Sequence, residues 1–418
     1  MRTVTEHQRV VAALFPAPEP VILPVPAALG RVTAVDIAAP ISLPGFDNSA
    51  MDGFAVRAAD VAAASTAHPV RLPVAADIPA GRVDPPPLAP HTAHRIMTGA
   101  PMPRGADAVV PVELTTSTFM TSTFTDSGDV VGTEVTITAA VPPGKHLRPA
   151  GSDIVAGEPA LPAGSELGAP QIGLLCSLGL SQVSVLRTMR VAVLSTGSEL
   201  VAPGMPLRHG QIHESNGAML TASAIEAGAS ATHVHFVPDD TTQFRHRLDE
   251  IAADADLIIT SGGVSAGAFE VVKEALGMTG GVEFVKVAMQ PGMPQGCGHY
   301  RAPNGRTVPI VTLPGNPVSS LVSFEVFIRD PLRAAMGLRR RRERLRARLH
   351  TDLTSPAGKR QFQRAIFLPD PHGPRVTTVG PPASHHLSNL ARAEALVDIP
   401  AETVRLTAGD EVDVIRLR

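Results

Sequence analysis

The feature that most restricts the possible folds is a regular alternation of strand-like and helix-like segments that begins at Met189. Short apolar runs such as RVAVLSTG (190–197) and DLIITSGG (256–263) end in glycine, and helical patterns such as SNGAMLTASAIEAGA (215–229) separate them. Strands that alternate with helices of this length form a mostly parallel sheet with helices on both faces. The sequence therefore predicts a doubly wound α/β domain over residues 186–332.

The rest of the chain lacks this alternation of strand-like and helix-like segments. A chain of 418 residues is too long for one hydrophobic core. Residues 46–144 contain short apolar runs between many prolines and glycines, which indicates a β-rich domain inserted into a first domain of residues 1–45 and 145–185. Residues 333–418 are predicted to form a C-terminal β domain. The expected fold class is thus multidomain, α/β plus β.

Three local predictions refine this division. Helices are expected around residues 4–14, 169–180 and 316–328, where apolar residues recur at helical spacing. A Thr-rich alternating stretch at 115–140 predicts strands, with a turn at 127–129 (Ser-Gly-Asp). The basic run RRRRERLRARL (339–349) has two interpretations, a nucleic-acid patch or a strand. We favour the strand with one solvated face, because residues 344–349 alternate with period two.

Composition excludes several classes of protein. The formal net charge is -3, aromatic residues make up 3% of the chain and Trp is absent, so we expect no nucleic-acid partner. Cys176 and Cys297 are too few for a disulfide framework or a zinc cluster, and each is expected to be an ordinary buried thiol. The N-terminus lacks signal-peptide features, and no apolar run reaches the ~20 residues of a membrane span. We expect a cytoplasmic protein with no membrane partner.

Three glycine-rich motifs stand at the ends of predicted parallel strands: STGSEL (195–200), TSGGVSAG (260–267) and LPGNPVSS (313–320). In a doubly wound sheet, ligands bind beyond the carboxyl ends of the strands, where main-chain N–H groups can approach an anion. One such loop alone would be an ordinary strand-to-helix turn. Three that converge favour a phosphorylated ligand, and none matches the phosphate loop of NTPases or the dinucleotide fingerprint.

Acidic residues recur in the same regions of the sequence. Glu199, Glu214 and Glu270 lie just past a predicted strand or at a predicted helix start. A carboxylate at a helix start is often only a cap. Several acids beside a phosphate site nevertheless indicate Mg²⁺, which proteins hold with one or two carboxylates plus phosphate oxygens and water. These three glutamates are therefore our candidate Mg²⁺ ligands.

Eight motifs, taken together and in order, resemble one family. They are FDNSAMDGFAVR (46–57), RIMTGAPMPRGADAVVPVE (95–113), RPAGSDI (148–154), STGSEL, GQIHESNGAML (210–220), TSGGVSAG, MQPGMP (289–294) and LPGNPVSS. This series resembles the molybdopterin molybdotransferase family, which includes MoeA and the E-domain of gephyrin. The motifs span nearly the whole chain, which makes the resemblance specific.

The resemblance implies a fold of four domains and an elongated homodimer. In the family, the active site lies between the α/β domain of one subunit and the inserted domain of the other. By resemblance, the catalytic residues would be Asp47, Asp52, Asp153, Glu199 and Glu270. The substrate-binding residues would be Thr98, Thr196, Gly262, Gly263, Ser265, Pro314 and Pro317. Molybdate would be met by Pro294, Ser319, Arg364 and Ser384.

The implied reaction starts from adenylylated molybdopterin. Molybdate enters the dithiolene, the adenylate is hydrolysed and AMP leaves, with Mg²⁺ at the phosphates; the molybdopterin adenylyltransferase would be a possible partner. The family usually carries lysines in the segment that here reads MQPGMP, where this chain has Gln290 and Met293. Lys273, Lys286 and Arg364 are the candidates for the missing charge. The alternative function is a non-catalytic pterin-binding or scaffolding protein on the same fold.

Overall fold

The structure is a computed structural model. It describes residues 1–117, 134–237, 240–262, 269–277, 281–339 and 342–418, so the turn predicted at 127–129 lies outside the described residues. The chain divides into two compact units. We call them the C-terminal unit (Met1–Leu23, Gly30–Ala34 and Ser184–Arg418) and the N-terminal unit (Pro24–Leu29 and Val35–Val183). The finer division into four segments stays a prediction.

The helices are short and lie mostly in the C-terminal unit. The α-helices of the described residues are Val4–Ala12, Ala169–Ser177, Asn216–Glu226, Thr241–Ala252, Phe269–Gly277, Pro317–Ser323, Arg329–Ala335 and Leu387–Arg392. Short 3₁₀ helices occupy Val25–Ala28, Ala58–Val61 and Val112–Leu114, and Phe324–Ile328 forms a π-helical turn. None of the helices in these described segments is both long and apolar enough to cross a bilayer.

A six-stranded, mostly parallel sheet organises the C-terminal unit. Its order is Ser230–Val237, Arg190–Thr196, Leu257–Ser261, Thr307–Leu313, Pro294–Arg301 and Val282–Lys286. The first four strands are parallel, and the last two run antiparallel to their neighbours.

Residues on the two faces of this sheet contribute to separate cores. Val191 and Val193 pack into one hydrophobic core, whereas Ala192 and Leu194 pack into the other. Successive side chains of a strand point to opposite faces, so this alternation shows that both faces are covered. The prediction of a doubly wound α/β domain is confirmed.

Two features of this region differ from the sequence prediction. The strand Pro294–Arg301 was not predicted, because its sequence PQGCGHYR is poor in strand-forming residues. Its glycines permit close approach, since a Cβ on Gly298 would lie 1.9 Å from the Gly281 carbonyl oxygen. The predicted helix 316–328 instead continues through the π-helical turn to Ala335.

A second six-stranded sheet belongs to the C-terminal β region. Its order is Met289–Gln290, Arg360–Leu368, Arg375–Thr378, Arg344–Leu349, Glu411–Arg416 and Ala395–Ile399, and an additional pairing of Ala395–Ile399 with Arg360–Leu368 closes the sheet on itself. Arg344–Leu349 is the strand that the basic run predicted. Its arginines pair with acids, for example Arg344 with Asp398 at 3.0 Å.

The N-terminal unit contains a third sheet. Its order is Ala108–Pro111, Gly53–Val56, Ala93–Ile96, Val70–Ile78, Glu134–Ile137 and Thr115–Ser117. Short ladders join Asn48–Ser49 to Leu147–Arg148, and Ile37–Ala38 to Pro159–Leu161. The remaining strands of the described chain are Pro20–Pro24, Gln182–Leu186, Leu200–Val201, Ile212–His213, Leu353–Thr354 and Arg405–Leu406. The predicted multidomain class, α/β plus β, is confirmed.

One prediction about the cysteines is wrong. Cys297 is buried, and burial raises the pKa of its thiol to about 11. Cys176 is exposed, because the helix Ala169–Ser177 buries Leu175 and turns the next position to solvent.

Candidate functional site

The loops that follow three neighbouring strands of the parallel sheet come into direct contact. These strands are Arg190–Thr196, Leu257–Ser261 and Thr307–Leu313. Gly262 has a φ of +94°, and a Cβ built on it would lie 2.3 Å from the carbonyl oxygen of Thr196. Only a residue without a Cβ permits this approach. The first two loops are therefore packed main chain against main chain.

Asn216 connects the second loop to the third. Its Nδ2 donates to the Ser261 hydroxyl at 2.8 Å and to the Gly315 carbonyl at 2.6 Å. The Ser261 hydroxyl also lies 3.2 Å from the Ser320 hydroxyl, which donates to the Pro314 carbonyl. The two partners of Asn216 lie 45 and 99 positions further along the chain, so this connecting role has no local signal in the sequence.

Glu214 caps the helix that begins at Asn216. Its Oε1 accepts hydrogen bonds from the Ser195 hydroxyl at 2.8 Å and from the Gly217 N–H at 2.6 Å. Its Oε2 is buried without a hydrogen bond to any described residue and lies 3.4 Å from His233 Nε2. The Ser215 side chain, at the N-cap position, makes no capping bond. Glu214 thus ties this helix to the end of the first strand.

Thr196 and Glu199 stand at the first strand end. Thr196 is buried, and its hydroxyl has no hydrogen-bond partner among the described residues. Glu199 is exposed, and its carboxylate folds back over Gly197, where an added Cβ would lie 2.6 Å from Oε2. A buried hydroxyl and a solvent-accessible carboxylate therefore sit at the same sheet edge as the Gly262 loop.

Arg364 is engaged with the main chain of a downstream segment. Its side chain is buried, and its Nη1 donates to the carbonyls of Ala383 and His386, each at 3.1 Å. Its Nη2 donates to the Pro381 carbonyl. Burial lowers the pKa of the Arg364 guanidinium. Several of its donors are thus committed to holding the segment 381–386 in place.

The segment that Arg364 holds reaches the third loop. The carbonyl of Ser384 accepts a hydrogen bond from the N–H of Val318 at 3.1 Å. Val318 lies in the helix Pro317–Ser323, which also contains the buried Ser319. The structure therefore brings Pro314, Pro317, Ser319, Arg364 and Ser384 into one neighbourhood.

The other predicted residues of this unit lie around the same sheet. Pro294 is the first residue of the strand Pro294–Arg301 and pairs with Lys286. Gly263 and Ser265 lie outside the described residues. Glu270 belongs to the helix Phe269–Gly277, but its side chain is not among the described ones.

Two of the three predicted acids of the N-terminal unit accept hydrogen bonds from main-chain N–H groups. Asp52 Oδ1 accepts from the N–H of Thr98 at 2.6 Å and from its hydroxyl at 2.9 Å. Asp47 Oδ1 accepts from the N–H of Ala150 at 2.8 Å, and Asp153 is exposed. The N–H and then the hydroxyl of Thr98 lower the pKa of Asp52. The motifs at 46–57 and 95–113 therefore meet through Asp52 and Thr98.

The described residues fit a shared cation better than a self-contained metal site. Nowhere in the described ranges do three or more His, Cys, Asp or Glu side chains form a group able to hold a metal. Mg²⁺ needs fewer protein ligands when a phosphate supplies oxygens. The buried Oε2 of Glu214, which lies 3.4 Å from His233 Nε2 and accepts no hydrogen bond from a described residue, is a carboxylate oxygen of that kind. Glu199 is near it in the fold, since the Ile212 N–H donates to the Glu199 carbonyl at 3.0 Å.

Three family models match successive parts of the chain. The MoeA N-terminal region (domain I and II) matches residues 2–179, a probable molybdopterin binding domain matches 192–334, and the MoeA C-terminal region (domain IV) matches 346–417.

Similar proteins agree with these matches over the whole length. Molybdopterin molybdenumtransferase 2 of Mycobacterium tuberculosis (strain H37Rv) is 53% identical and covers 99% of each chain. Molybdopterin molybdenumtransferase of Bacillus subtilis (strain 168) is 34% identical over 93% of this chain and 88% of its own. Among solved structures, a molybdopterin biosynthesis MoeA protein from Pyrococcus horikoshii matches with a TM-score of 0.78 and 30% identity, covering 100% of this chain and 99% of its own.

Proposed function

This chain belongs to the molybdopterin molybdenumtransferase family, and from that premise we propose that it inserts molybdate into adenylylated molybdopterin, hydrolyses the adenylate and releases AMP. The observation that carries the proposal is the contact of three strand-end loops through Gly262 and Asn216. This contact builds a rigid, glycine-lined edge at the place where doubly wound sheets bind phosphorylated ligands. Since the relatives are named as transferases, the scaffold alternative is not favoured.

In this proposal the α/β loops bind the pterin and its phosphates. Thr196, Gly262, Gly263, Ser265, Pro314 and Pro317 would line the pocket, with main-chain N–H groups facing the anion. The Thr196 hydroxyl supports this role, because it is buried without a described partner and a ligand oxygen would satisfy it. Asn216 belongs to the same pocket as the residue that fixes the spacing of the second and third loops.

Carboxylates would hold the cation and orient water. Glu199, Glu214 and Glu270 are the proposed Mg²⁺ ligands, and the ion, when bound, would neutralise charge on the phosphates. Glu214 is held rigidly by Ser195 and Gly217, so its second oxygen, which lies 3.4 Å from His233 Nε2, has a fixed direction. Glu199 is exposed and unconstrained by a capping role, which suits a residue that orients the hydrolytic water.

The remaining residues have supporting roles in the proposal. Asp47, Asp52, Asp153 and Thr98 would contact the pterin side of the substrate, and the family's homodimer would complete the site. Pro294, Ser319, Arg364 and Ser384 would form the molybdate end, where Arg364 acts through the segment 381–386 that it braces. We also propose a cytoplasmic location and transfer of the substrate from the molybdopterin adenylyltransferase.

The decisive experiment measures AMP release from adenylylated molybdopterin by the purified protein with Mg²⁺, with and without molybdate. We expect molybdate-dependent release that falls by at least about 100-fold in Glu199→Ala, as loss of a general base typically costs. Glu411→Ala is the matched control, because Glu411 is an exposed glutamate of the C-terminal sheet, paired with Arg346. Tight binding of the adenylate without turnover in the wild-type protein would overturn the proposal.

A further inference from the structure

Gln295 connects a loop to a helix at the proposed molybdate end through one side-chain amide. Its Nε2 donates to the Gly292 carbonyl at 2.6 Å and to the Ser323 hydroxyl at 2.7 Å. A carbonyl can only accept, so the bond to Gly292 assigns the NH₂ end of the amide. Gly292 belongs to the loop 291–294, and Ser323 is the last residue of the helix Pro317–Ser323. We call this pair of hydrogen bonds the Gln295 bridge.

The loop and the helix are in direct contact at this bridge. A Cβ built on Gly292 would lie 2.8 Å from the Ser323 hydroxyl oxygen, and the φ of Gly292 is +97°. Both facts favour a residue without a Cβ at position 292. Gln295 and Ser323 are buried, with 1% and 0% of their surface exposed, so bulk water does not compete for the two hydrogen bonds. The bridge therefore holds the main chain of the loop against the helix.

The helix face that meets the loop also carries Ser319. Residues four positions apart lie on the same side of an α-helix, so Ser319 and Ser323 share a face. The loop in turn ends in Pro294. The Gln295 bridge thus joins the two segments that carry Pro294 and Ser319, which are two of the four residues proposed to meet molybdate.

The same loop and the same helix form opposite parts of a small cleft. Pro291, the first residue of the loop, lines this cleft together with Val318 and Arg364. Val318 is the second residue of the helix. The distance between the loop and the helix therefore sets the width of the cleft beside Arg364.

We propose that Gln295 is a positioning residue that fixes the distance between the loop 291–294 and the helix Pro317–Ser323, and thereby sets the selectivity of the molybdate end among tetrahedral oxyanions. This inference rests on the proposed function. Sulfate has the same charge and shape as molybdate but is smaller, so walls held at a fixed distance distinguish the two ions by size. Without the bridge the walls can adjust to either ion, and the discrimination falls.

Gln295→Met removes both donors and keeps the length of the side chain. We expect the molybdate KM of AMP release to rise about 10-fold and kcat to stay within about 2-fold. Sulfate affinity should change little, so the ratio of molybdate affinity to sulfate affinity falls by about 10-fold as well. Tyr300→Phe is the matched control, because Tyr300 is a buried residue of the same strand whose hydroxyl donates to Asp249. It should lower stability and leave the KM and the affinity ratio unchanged. A folded Gln295→Met protein with the wild-type ratio would overturn the proposal.

Ser323→Ala tests the helix end of the bridge. It removes the hydroxyl acceptor and leaves the bond to Gly292, so the affinity ratio should fall by about 3-fold. In a Gln295→Met background no amide binds the hydroxyl, and the same substitution should have almost no further effect. Equal effects in the two backgrounds would refute the bridge. If Gln295→Met does not fold, an unchanged ratio in Ser323→Ala overturns the proposal.

Sodium molybdate and sodium sulfate are the probes, each titrated calorimetrically into the protein with and without adenylylated molybdopterin. Circular dichroism melting confirms that each variant is folded. If the wild-type protein releases no AMP but the variants lose selectivity as expected, the proposed function fails and the bridge stands. If AMP is released and the affinity ratio is unchanged in both variants, the bridge alone fails. Undetectable molybdate binding by the wild-type protein at millimolar concentration in both states would also overturn the inference.

Discussion

Asp52 accepts two hydrogen bonds from one residue, Thr98, through the same oxygen: one from its N–H at 2.6 Å and one from its hydroxyl at 2.9 Å. The main-chain bond contributes most to lowering the pKa of Asp52, and the hydroxyl adds to it. Because the folded state favours the ionised acid, this pair stabilises the protein above the carboxyl's unfolded pKa. The contribution is lost as the pH falls through the folded pKa.

Thr98→Val separates the two bonds. It removes the hydroxyl donor and keeps the N–H, so the pKa of Asp52 should rise but remain below its ordinary value. Carboxyl ¹³C NMR titration of Asp52 measures this directly, and Thr98→Ser, which keeps a hydroxyl, is the control. An unchanged titration in Thr98→Val would mean that the hydroxyl does not contribute.

Gly262→Ala should disrupt the contact between the first two strand-end loops. The φ of +94° strains any L-residue, and the added Cβ would also meet the Thr196 carbonyl at 2.3 Å. We expect a stability loss of about 2–4 kcal/mol together with at least about a 100-fold loss of AMP release. Urea unfolding and the AMP assay measure these effects. Gly358→Ala is the control, because Gly358 has a φ of +73° and no atom lies within 4 Å of an added Cβ. It measures the loss of stability caused by the positive φ alone and should leave AMP release intact.

Arg364→Lys should loosen the segment 381–386 although the charge is kept. A lysine ammonium cannot reproduce the fork that serves three carbonyls. Each buried acceptor left without a donor costs about 1–3 kcal/mol, so we expect lower stability and a raised molybdate KM. Arg346→Lys is the matched control, because Arg346 is an exposed arginine paired with Glu411 and Asp413. Wild-type stability in Arg364→Lys would exclude the bracing role.

His7 should make the C-terminal unit sensitive to acid. Its ring is buried against Phe327, with centroids 4.7 Å apart, and burial lowers the pKa of His7 to about 4. The unfolded chain takes up this proton near pH 6.5, whereas the folded chain resists it. Stability is therefore full above about pH 6.5 and falls by up to about 3 kcal/mol as the pH drops to 4.

His7→Phe removes this titration. Urea unfolding at several pH values between about 4 and 7 should show a shallower acid loss in the variant than in the wild type. Other titratable groups contribute equally to both curves, so the difference between the two curves reports the titration of His7. Parallel curves would show that folding leaves the pKa of His7 unchanged.

The sequence predicted the fold well wherever a residue pattern is local. The alternation in Arg344–Leu349 was enough to identify a strand, and the apolar runs before each glycine turn located the parallel sheet. The strand Pro294–Arg301 was not predicted, because it is stabilised by the neighbouring strands and not by the strand preference of its own residues. Gly296 and Gly298 carry no strand preference themselves and are suited by the close approach of Thr312 and Gly281.

The candidate site was harder to predict than the fold. Motif strings pointed to Thr196, Gly262 and Glu214, and the structure places them at one sheet edge. The structure adds the atoms that each of these residues contacts, which the sequence motifs do not specify. Asn216 joins two loops through its bonds to Ser261 and Gly315, and hydrogen bonds across 45 and 99 positions leave no trace in spacing or composition.

The hydrogen bond from the N–H of Val318 to the carbonyl of Ser384 involves no side-chain atom. An alanine scan of the site would pass over it, since every residue except proline supplies the same N–H. Proline at position 318 would delete the donor, while Ser384→Ala would leave this bond in place and remove only the hydroxyl. This bond can therefore hold the start of the helix and the segment 381–386 at a constant distance while the side chains on both sides change. The specificity of this region can then vary without a change in the main-chain arrangement.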